Sequence, residues 1–431
     1  MILRDRLAPA LAGLSAACLL VFGGAAGAQD TPVADIAASP AFTAAKARMA
    51  AEFDRTVADI ITLTEIPAPP FQEAERGKAY LAMLQAHGLT ETTTDEEGNV
   101  MGLRRGSGAP GGPVIVVSAH LDTVFPADTD VKVRREGTRL MAPGVGDDTR
   151  SLAVLLAYIR ALDAAQIVTE KDILFVGTVG EEGPGDLRGV RHLFTQGAYK
   201  DRVEAFFSFD GSDPSRVVTG AVGSKRYRTF FRGPGGHSYG AFGLVNPMAA
   251  MARATTALYE IEVPKTPRTT YSASVTGGGV SVNSIPAEVY TEYDMRSESP
   301  EALATLEAQL LAAFQDAAAA ENAARSVSEG EITVEPLVIG DRPAGGTDPD
   351  SLLVRSVLAA NRLQGFEPQM SASSTDSNIP MSLGIPAVTL GSGGTGGRAH
   401  ALDEWIDVEP VESLRGMAVG LLSILAVAGV D

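Results

Sequence analysis

Two histidines and five carboxylates recur in this sequence beside apolar runs and glycine-rich segments. Imidazole nitrogen and carboxylate oxygen are ligands that divalent metals of the zinc class accept where no thiolate is present. A pair of such metals needs one carboxylate to bridge them and another free to take a proton from water. These residue types therefore indicate metal-assisted hydrolysis. The seven residues, called the His/Asp/Glu cluster below, are His120, Asp122, Asp147, Glu181, Glu182, Asp210 and His400.

Several members of the cluster also have a structural interpretation. A histidine at a strand end is often held by backbone hydrogen bonds. Adjacent aspartates at a helix start are often caps, which explains Asp148 but leaves Asp147 one residue too early. Glu181 and Glu182 are harder to explain, because adjacent like charges repel unless a cation lies between them.

Four apolar runs must position the cluster, at residues 113–117, 173–176, 205–209 and 386–390. Their composition is typical of buried parallel strands, which favours an α/β fold with a mixed, mostly parallel sheet flanked by helices. Such sheets place their chemistry outside the carboxyl ends of the strands. The glycines at 391–397 supply the backbone freedom needed to place His400.

The pattern changes between residues 214 and 336, where short strands alternate with two helices. This predicts an α+β sandwich inserted into a catalytic domain made of residues 29–213 and 337–431. The insert carries His237 in a tight glycine-rich turn, and Asn283 and Arg296 on either side of a predicted strand.

The charge composition of the chain argues against nucleic-acid binding. The 431 residues include 35 Lys+Arg against 53 Asp+Glu, a formal net charge of −18. The chain has no cluster of basic residues interleaved with aromatic ones, so we expect no nucleic-acid partner.

Residues 1–28 have the features of a secretory signal peptide. A basic start precedes an apolar stretch at 11–22, and Ala26-Gly27-Ala28 offers a cleavage site. The apolar stretch is short for a membrane span, so we expect a periplasmic or secreted protein without stable membrane insertion after cleavage. The single cysteine, Cys18, lies in this segment, and its lipidation is the alternative. Cleavage after Ala28 would remove Cys18, so the mature chain would have neither disulfides nor a thiolate metal site.

In order and spacing these motifs resemble the cocatalytic zinc exopeptidases and deacylases, which include peptidase T, carboxypeptidase G, acetylornithine deacetylase and succinyl-diaminopimelate desuccinylase. The resemblance runs from about residue 50 to the end, and the segment 181–191 is most similar to peptidase T-like members. One departure follows Asp147, where Asp148-Thr149-Arg150-Ser151 replaces the usual lysine or glycine stretch.

The resemblance implies a ligand set for two divalent cations, with zinc expected and cobalt or manganese as alternatives. His120 and Asp210 would hold one cation, Glu182 and His400 would hold the other, and Asp147 would bridge them.

The resemblance also implies roles beyond the ligands. Asp122 would orient His120, and Glu181 would be the general base. His237 would reach the active site of the partner subunit of a homodimer and stabilise the oxyanion. Asn283 and Arg296 would hold the substrate, with Arg296 binding a carboxylate through its forked guanidinium.

The function expected from these roles is hydrolysis of an amide bond in small peptides. An N-acyl-amino-acid deacylase using the same site is the alternative, since the choice of acyl group depends on the shape of the pocket. A non-catalytic metal- or peptide-binding module is less favoured, because the complete ligand set and Glu181 argue for catalysis.

Overall fold

The computed structural model describes residues 32–431. The predicted signal peptide and Cys18 lie outside the described residues.

Helices are distributed along the whole described chain and pack against the sheets. They are α1 (Val33–Ala38), α2 (Pro40–Ala51), α3 (Phe53–Thr64), α4 (Ala74–Gln85), α5 (Arg150–Ala164), α6 (Arg188–Thr195), α7 (Pro247–Glu260), α8 (Pro300–Ala324), α9 (Leu352–Leu363), α10 (Asn378–Ser382) and α11 (Pro410–Ala428).

The strands form two main sheets and two small ones. They are β1 (Thr90–Thr94), β2 (Val100–Arg104), β3 (Val114–His120), β4 (Arg134–Glu136), β5 (Arg139–Met141), β6 (Asp172–Thr178), β7 (Val203–Phe209), β8 (Arg216–Ala221), β9 (Gly223–Arg232), β10 (Gly236–His237), β11 (Thr269–Gly278), β12 (Ser284–Ile285), β13 (Glu288–Ser297), β14 (Thr333–Arg342), β15 (Gly345–Gly346), β16 (Gln369–Ser373), β17 (Ala387–Leu390), β18 (Thr395–Gly397) and β19 (Trp405–Asp407).

The large sheet is mixed, with the order β1-β2-β6-β3-β7-β17-β8-β15 and β16 paired to β8. Its centre is parallel: β3 pairs with both β6 and β7, and β7 pairs with β17. Every residue of β3 and β6 is buried, because helices cover both faces. The predicted mixed, mostly parallel sheet flanked by helices is what the structure contains.

Side chains of the central strands divide between the two faces with a period of two. Ile115 and Val117 join a large core built with α2, α3, α5, α9 and α11. Val114 and Val116 join a smaller core with α6 and α10. The apolar runs are therefore continuous because each face of the sheet has its own helical layer.

Helix α11 is long and apolar enough to cross a membrane by length and composition, with a mean hydropathy of 1.6. However, 78% of that window is buried inside the protein, and every residue from Gly416 to Ala428 is buried. Its contacts with α9 and the large core account for this composition.

The insert is a four-stranded antiparallel sheet of order β11-β13-β9-β14, with α7 and α8 packed on one face. Buried residues alternate along β13, and Tyr293 packs against Phe314 of α8 with ring centroids 5.0 Å apart. This gives the insert a core of its own.

The limits of the insert differ from the predicted 214 and 336. Strand β8 pairs with β15, β16 and β17 in the large sheet, so the insert's sheet begins at Gly223. At the other end β14 continues to Arg342. Only Val222 separates β8 from β9, and two residues separate β14 from β15, so composition alone does not mark the point where the chain changes sheet.

Candidate metal centre

The His/Asp/Glu cluster gathers at the carboxyl ends of the parallel strands. His120 is the last residue of β3 and lies in register with Thr178 at the end of β6. Glu181 and Glu182 follow the end of β6 after two intervening residues, and Asp210 directly follows β7. Asp147 comes from the glycine-rich turn before α5. Parallel pairing therefore brings distant chain segments to one edge, as the strand-end spacing predicts.

The carboxylate of Asp147 lies between the two cluster histidines. His120 Nε2 is 2.9 Å from Asp147 Oδ1, and His400 Nε2 is 3.1 Å from Asp147 Oδ2. The same His400 nitrogen is 3.0 Å from Glu182 Oε1. Each Asp147 oxygen thus faces a different imidazole, which is the arrangement a bridging carboxylate requires.

Potential ligand atoms are close enough to hold cations. Those of His120, Asp147 and Glu182 lie within 4.8 Å of one another, as do those of His120, Asp148 and Asp210. The donors are imidazole and carboxylate with no thiolate, a set that fits divalent cations of the zinc class.

The carboxylates control the protonation of the histidines. Hydrogen bonds with Asp147 and Glu182 raise the pKa of His400 to about 11. Burial alone would lower the pKa of His120, but Asp122 and Asp147 outweigh burial and hold it well above its ordinary value. A cation bound here would take the place of these protons, so cation binding becomes tighter as the pH rises.

Asp122 supports the cluster from behind. His120 Nδ1 lies 3.0 Å from the backbone carbonyl of Asp122, which directs Nε2 toward Asp147. The Asp122 carboxylate accepts backbone N–H bonds from Glu181 at 3.1 Å and Glu182 at 2.8 Å. One buried aspartate thereby positions both the histidine and the glutamate pair.

The cap interpretation of Asp148 is wrong. The N-cap residue of helix α5 is Thr149, and no side chain caps the helix through a hydrogen bond. Its oxygens accept the backbone N–H of His120 at 3.1 Å and of Gly211 at 3.4 Å. Asp148 therefore ties the ends of two strands together beneath the cluster, and burial raises its pKa well above the ordinary value.

Glu404, which sequence reasoning missed, holds the turn that carries Asp147. Its carboxylate accepts backbone N–H bonds from Gly144, Gly146 and Asp147 at 2.8, 2.8 and 2.9 Å. Burial raises the pKa of Glu404 to about 7, although these hydrogen bonds oppose the shift. The only signal in the sequence is its position four residues after His400.

Arg342, also missed, connects the insert to Glu181. It is the last residue of β14 and is buried. Its Nη2 donates to the Glu181 carbonyl at 2.5 Å, and its Nη1 lies 3.5 Å from Glu181 Oε1. Burial raises the pKa of Glu181 well above its ordinary value, and the charge of Arg342 opposes that shift.

The three insert residues lie apart from the cluster. His237 and Asn283 line one surface groove, and the exposed His237 ring accepts N–H bonds from Tyr239 and Gly240. Arg296 Nε donates to Asp294 at 2.8 Å. Within residues 32–431, none of the three makes a hydrogen bond or ion pair with the His/Asp/Glu cluster.

Comparison with known proteins identifies relatives that match most of the chain. The model of the peptidase family M20/M25/M40 matches residues 116–424. The uncharacterized protein YqjE of Bacillus subtilis is 24% identical over 320 residues, which cover 72% of this chain and 80% of that protein.

Solved structures share the fold. Aminopeptidase PepT from Bacillus cereus superposes with a TM-score of 0.69 at 22% identity, covering 87% of this chain and 99% of that one. A tripeptidase from Staphylococcus aureus gives 0.71 at 22% identity, covering 87% and 98%. A Bacillus subtilis protein described as a dinuclear metal-binding peptidase gives 0.62 at 17% identity, covering 88% and 99%.

Proposed function

The chain belongs to the peptidase family M20/M25/M40, and on that premise we propose that it hydrolyses an amide bond in small peptides with two divalent cations. As a member of that family it is a hydrolase acting on peptide or amide bonds. The observation that carries the proposal is the Asp147 carboxylate, which faces His120 with one oxygen and His400 with the other.

The ligands of the two cations come from the strand ends. His120 and Asp210 would hold one cation, Glu182 and His400 the other, and Asp147 would bridge them. Zinc is the metal we propose, with cobalt and manganese as alternatives. When bound, the two cations polarise the scissile carbonyl and make water nucleophilic near neutral pH.

Glu181 is the proposed general base. It takes a proton from the attacking water and returns it to the leaving amine. Its neighbours support this role: Asp122 holds its backbone N–H, and Arg342 holds its carbonyl. These contacts fix the backbone of Glu181 on both sides of its side chain.

The insert would complete the site across a homodimer. We propose that His237 donates to the oxyanion in the partner subunit's site, and that Asn283 and Arg296 hold the substrate there. The separation of these residues from the cluster of their own chain supports this arrangement, because an exposed histidine with only local partners is available to another subunit. Residues 1–28 support a periplasmic or secreted location.

A panel of small substrates tests the function. Free di- and tripeptides, their N-acetylated forms and their C-amidated forms are each assayed with and without a chelator. Chelator-sensitive cleavage of free peptides but not of acetylated ones is the expected result for an aminopeptidase. Cleavage of acetylated substrates that is lost on amidation indicates the deacylase or a carboxypeptidase instead. Cation binding without cleavage of any substrate would contradict the proposed hydrolysis and favour the non-catalytic metal- or peptide-binding module.

A further inference from the structure

A small cavity of about 250 Å³ adjoins the cluster, and Asp147 and Asp210 are among the residues that line it. Val218, Leu390, Ile406 and Trp405 supply much of its wall. Pockets that enclose drug-sized ligands are about 300–1,000 Å³, so this one has room for a single side chain or a chain end.

Two glycines of the loop before His400 keep this cavity open. A Cβ on Gly397 would come within 3.1–3.2 Å of the Trp405 ring, and one on Gly396 would lie 3.0 Å from Ser212 Oγ. Any larger residue at position 396 or 397 would therefore crowd the side chains that line the cavity. The shape follows from the glycine-rich sequence at 391–397.

Arg216 is the one cationic side chain among the described residues that line this cavity. It is the first residue of β8 and is exposed. No hydrogen bond or ion pair engages its guanidinium within residues 32–431. Arg342 and Arg296, by contrast, are already bound to Glu181 and Asp294. Arg216 is therefore free to bind a ligand.

Acidic groups of the same cavity do not neutralise Arg216. Asp213 also lines it, but Asp213 Oδ1 accepts from the backbone N–H and the hydroxyl of Ser215, at 2.9 and 2.7 Å. Asp210 lines the cavity as well, and among residues 32–431 it forms no ion pair with Arg216.

We propose that Arg216 binds a carboxylate of the substrate and so gives the enzyme a preference for peptides that carry this carboxylate over their amide counterparts. The inference rests on the proposed function, because it names the substrate class of the same site. A planar guanidinium forms paired, charge-assisted hydrogen bonds with a carboxylate. The carboxylate comes either from an Asp or Glu side chain next to the scissile bond or from the chain terminus.

Matched substrate pairs separate these two sources. Glu-Ala with Gln-Ala, and Ala-Glu with Ala-Gln, differ only in a side-chain carboxylate, whereas Ala-Ala with its C-amide differs at the terminus. We expect wild-type kcat/KM to favour the carboxylate member of at least one pair by about 10- to 100-fold. Arg216→Met should abolish that preference, and Arg216→Lys should retain part of it.

The kinetic control is Arg362→Met, which removes an exposed arginine of α9 that does not line the cavity. It should leave every ratio unchanged. Loss of preference in a side-chain pair identifies an acidic residue, and loss confined to the amide pair identifies the terminal carboxylate. Hydrolysis of neutral peptides with equal rates within all three pairs overturns the role of Arg216 and leaves the proposed function intact.

Binding measurements keep the inference testable if no peptide is cleaved. Calorimetry of the zinc-loaded protein with glutarate and with the uncharged glutaramide uses probes that differ only in charge. Tighter binding of glutarate that is lost in Arg216→Met supports the carboxylate site even if the proposed function fails. Equal binding of the two probes, or equal binding to wild type and Arg216→Met, contradicts it.

Discussion

The His/Asp/Glu cluster and the insert present their functional groups in opposite ways. In the cluster, Asp122 is fully buried and holds the backbone of both glutamates. In the insert, His237 is exposed, and its ring has hydrogen-bond partners only in its own turn. A rigid sheet edge can assemble a site within one chain, whereas an exposed turn depends on what approaches it. The predictions below test this contrast.

The largest effect should come from Glu181→Gln, which keeps the size of the side chain but removes its basicity. A positioned general base contributes about 10²–10⁴-fold, so kcat should fall by this amount. Cation content, measured by elemental analysis, should stay unchanged because Glu181 is not a proposed ligand. Retained turnover would remove Glu181 from the mechanism. Asp147→Asn is the matched contrast, since loss of the bridging group should lower cation content as well.

His237→Ala should lower kcat by about 10²–10³-fold, the cost of losing one oxyanion donor. Whether the histidine acts in its own chain or across the dimer is measured by co-expressing this variant with Glu181→Gln. If His237 acts across the dimer, the mixed dimer contains one working site and activity returns. A mixture as inactive as its parents, or a fully active monomer by light scattering, would place the histidine in its own subunit's site.

A smaller effect should follow from Arg342→Gln, which releases Glu181 from the insert. We expect kcat to fall by about 10–100-fold, because a misplaced catalytic group is costly, while KM changes little. Arg342→Lys should recover part of the activity by keeping the charge. Arg191→Gln is the control, since Arg191 also bonds the insert, at the carbonyl of Asp341, without touching Glu181. An equal loss of kcat in both variants would mean that any contact between the insert and the rest of the chain has this effect, and that the contact with Glu181 has no special role.

The smallest effect concerns stability, through Asp376. This buried carboxyl accepts a hydrogen bond from Thr178, and burial raises its pKa to about 6 from an ordinary 3.8. The folded state therefore holds this proton more tightly than the unfolded state. Its stabilising contribution is complete below about pH 4 and is lost as the pH rises through about 6, with a span on the order of 2–3 kcal/mol.

Denaturant unfolding of the chelated protein between pH 4 and 7 measures this contribution. Asp376→Asn should flatten the decline, because an amide does not titrate. Asp350→Asn, at an exposed position, is the control and should leave the profile unchanged. An Asp376→Asn profile identical to wild type would mean that the carboxyl does not titrate in this range.

The parts of the site that sequence reasoning found share a local signal. Asp210 directly follows an apolar run and His120 lies three residues beyond another, while Glu181 and Glu182 form a pair that no simple structural role explains. The family match and the shared fold agree with the peptidase motifs recognised in the sequence. The change of pattern predicted at residues 214–336 overlaps the sheet β11-β13-β9-β14, which spans Gly223 to Arg342 because β8 belongs to the large sheet.

The sequence by itself determined which residue types stand at the strand ends, because burial on both faces imposes continuous apolar runs and polar residues can only follow them. Only the tertiary structure decided what supports those residues. Arg342 and Glu181 are 161 residues apart, and Glu404 and Asp147 are 257 apart. The cavity at Arg216 likewise depends on β8 lying beside the glycine-rich loop. Such contacts arise from packing between distant segments, and no local spacing or periodicity records them.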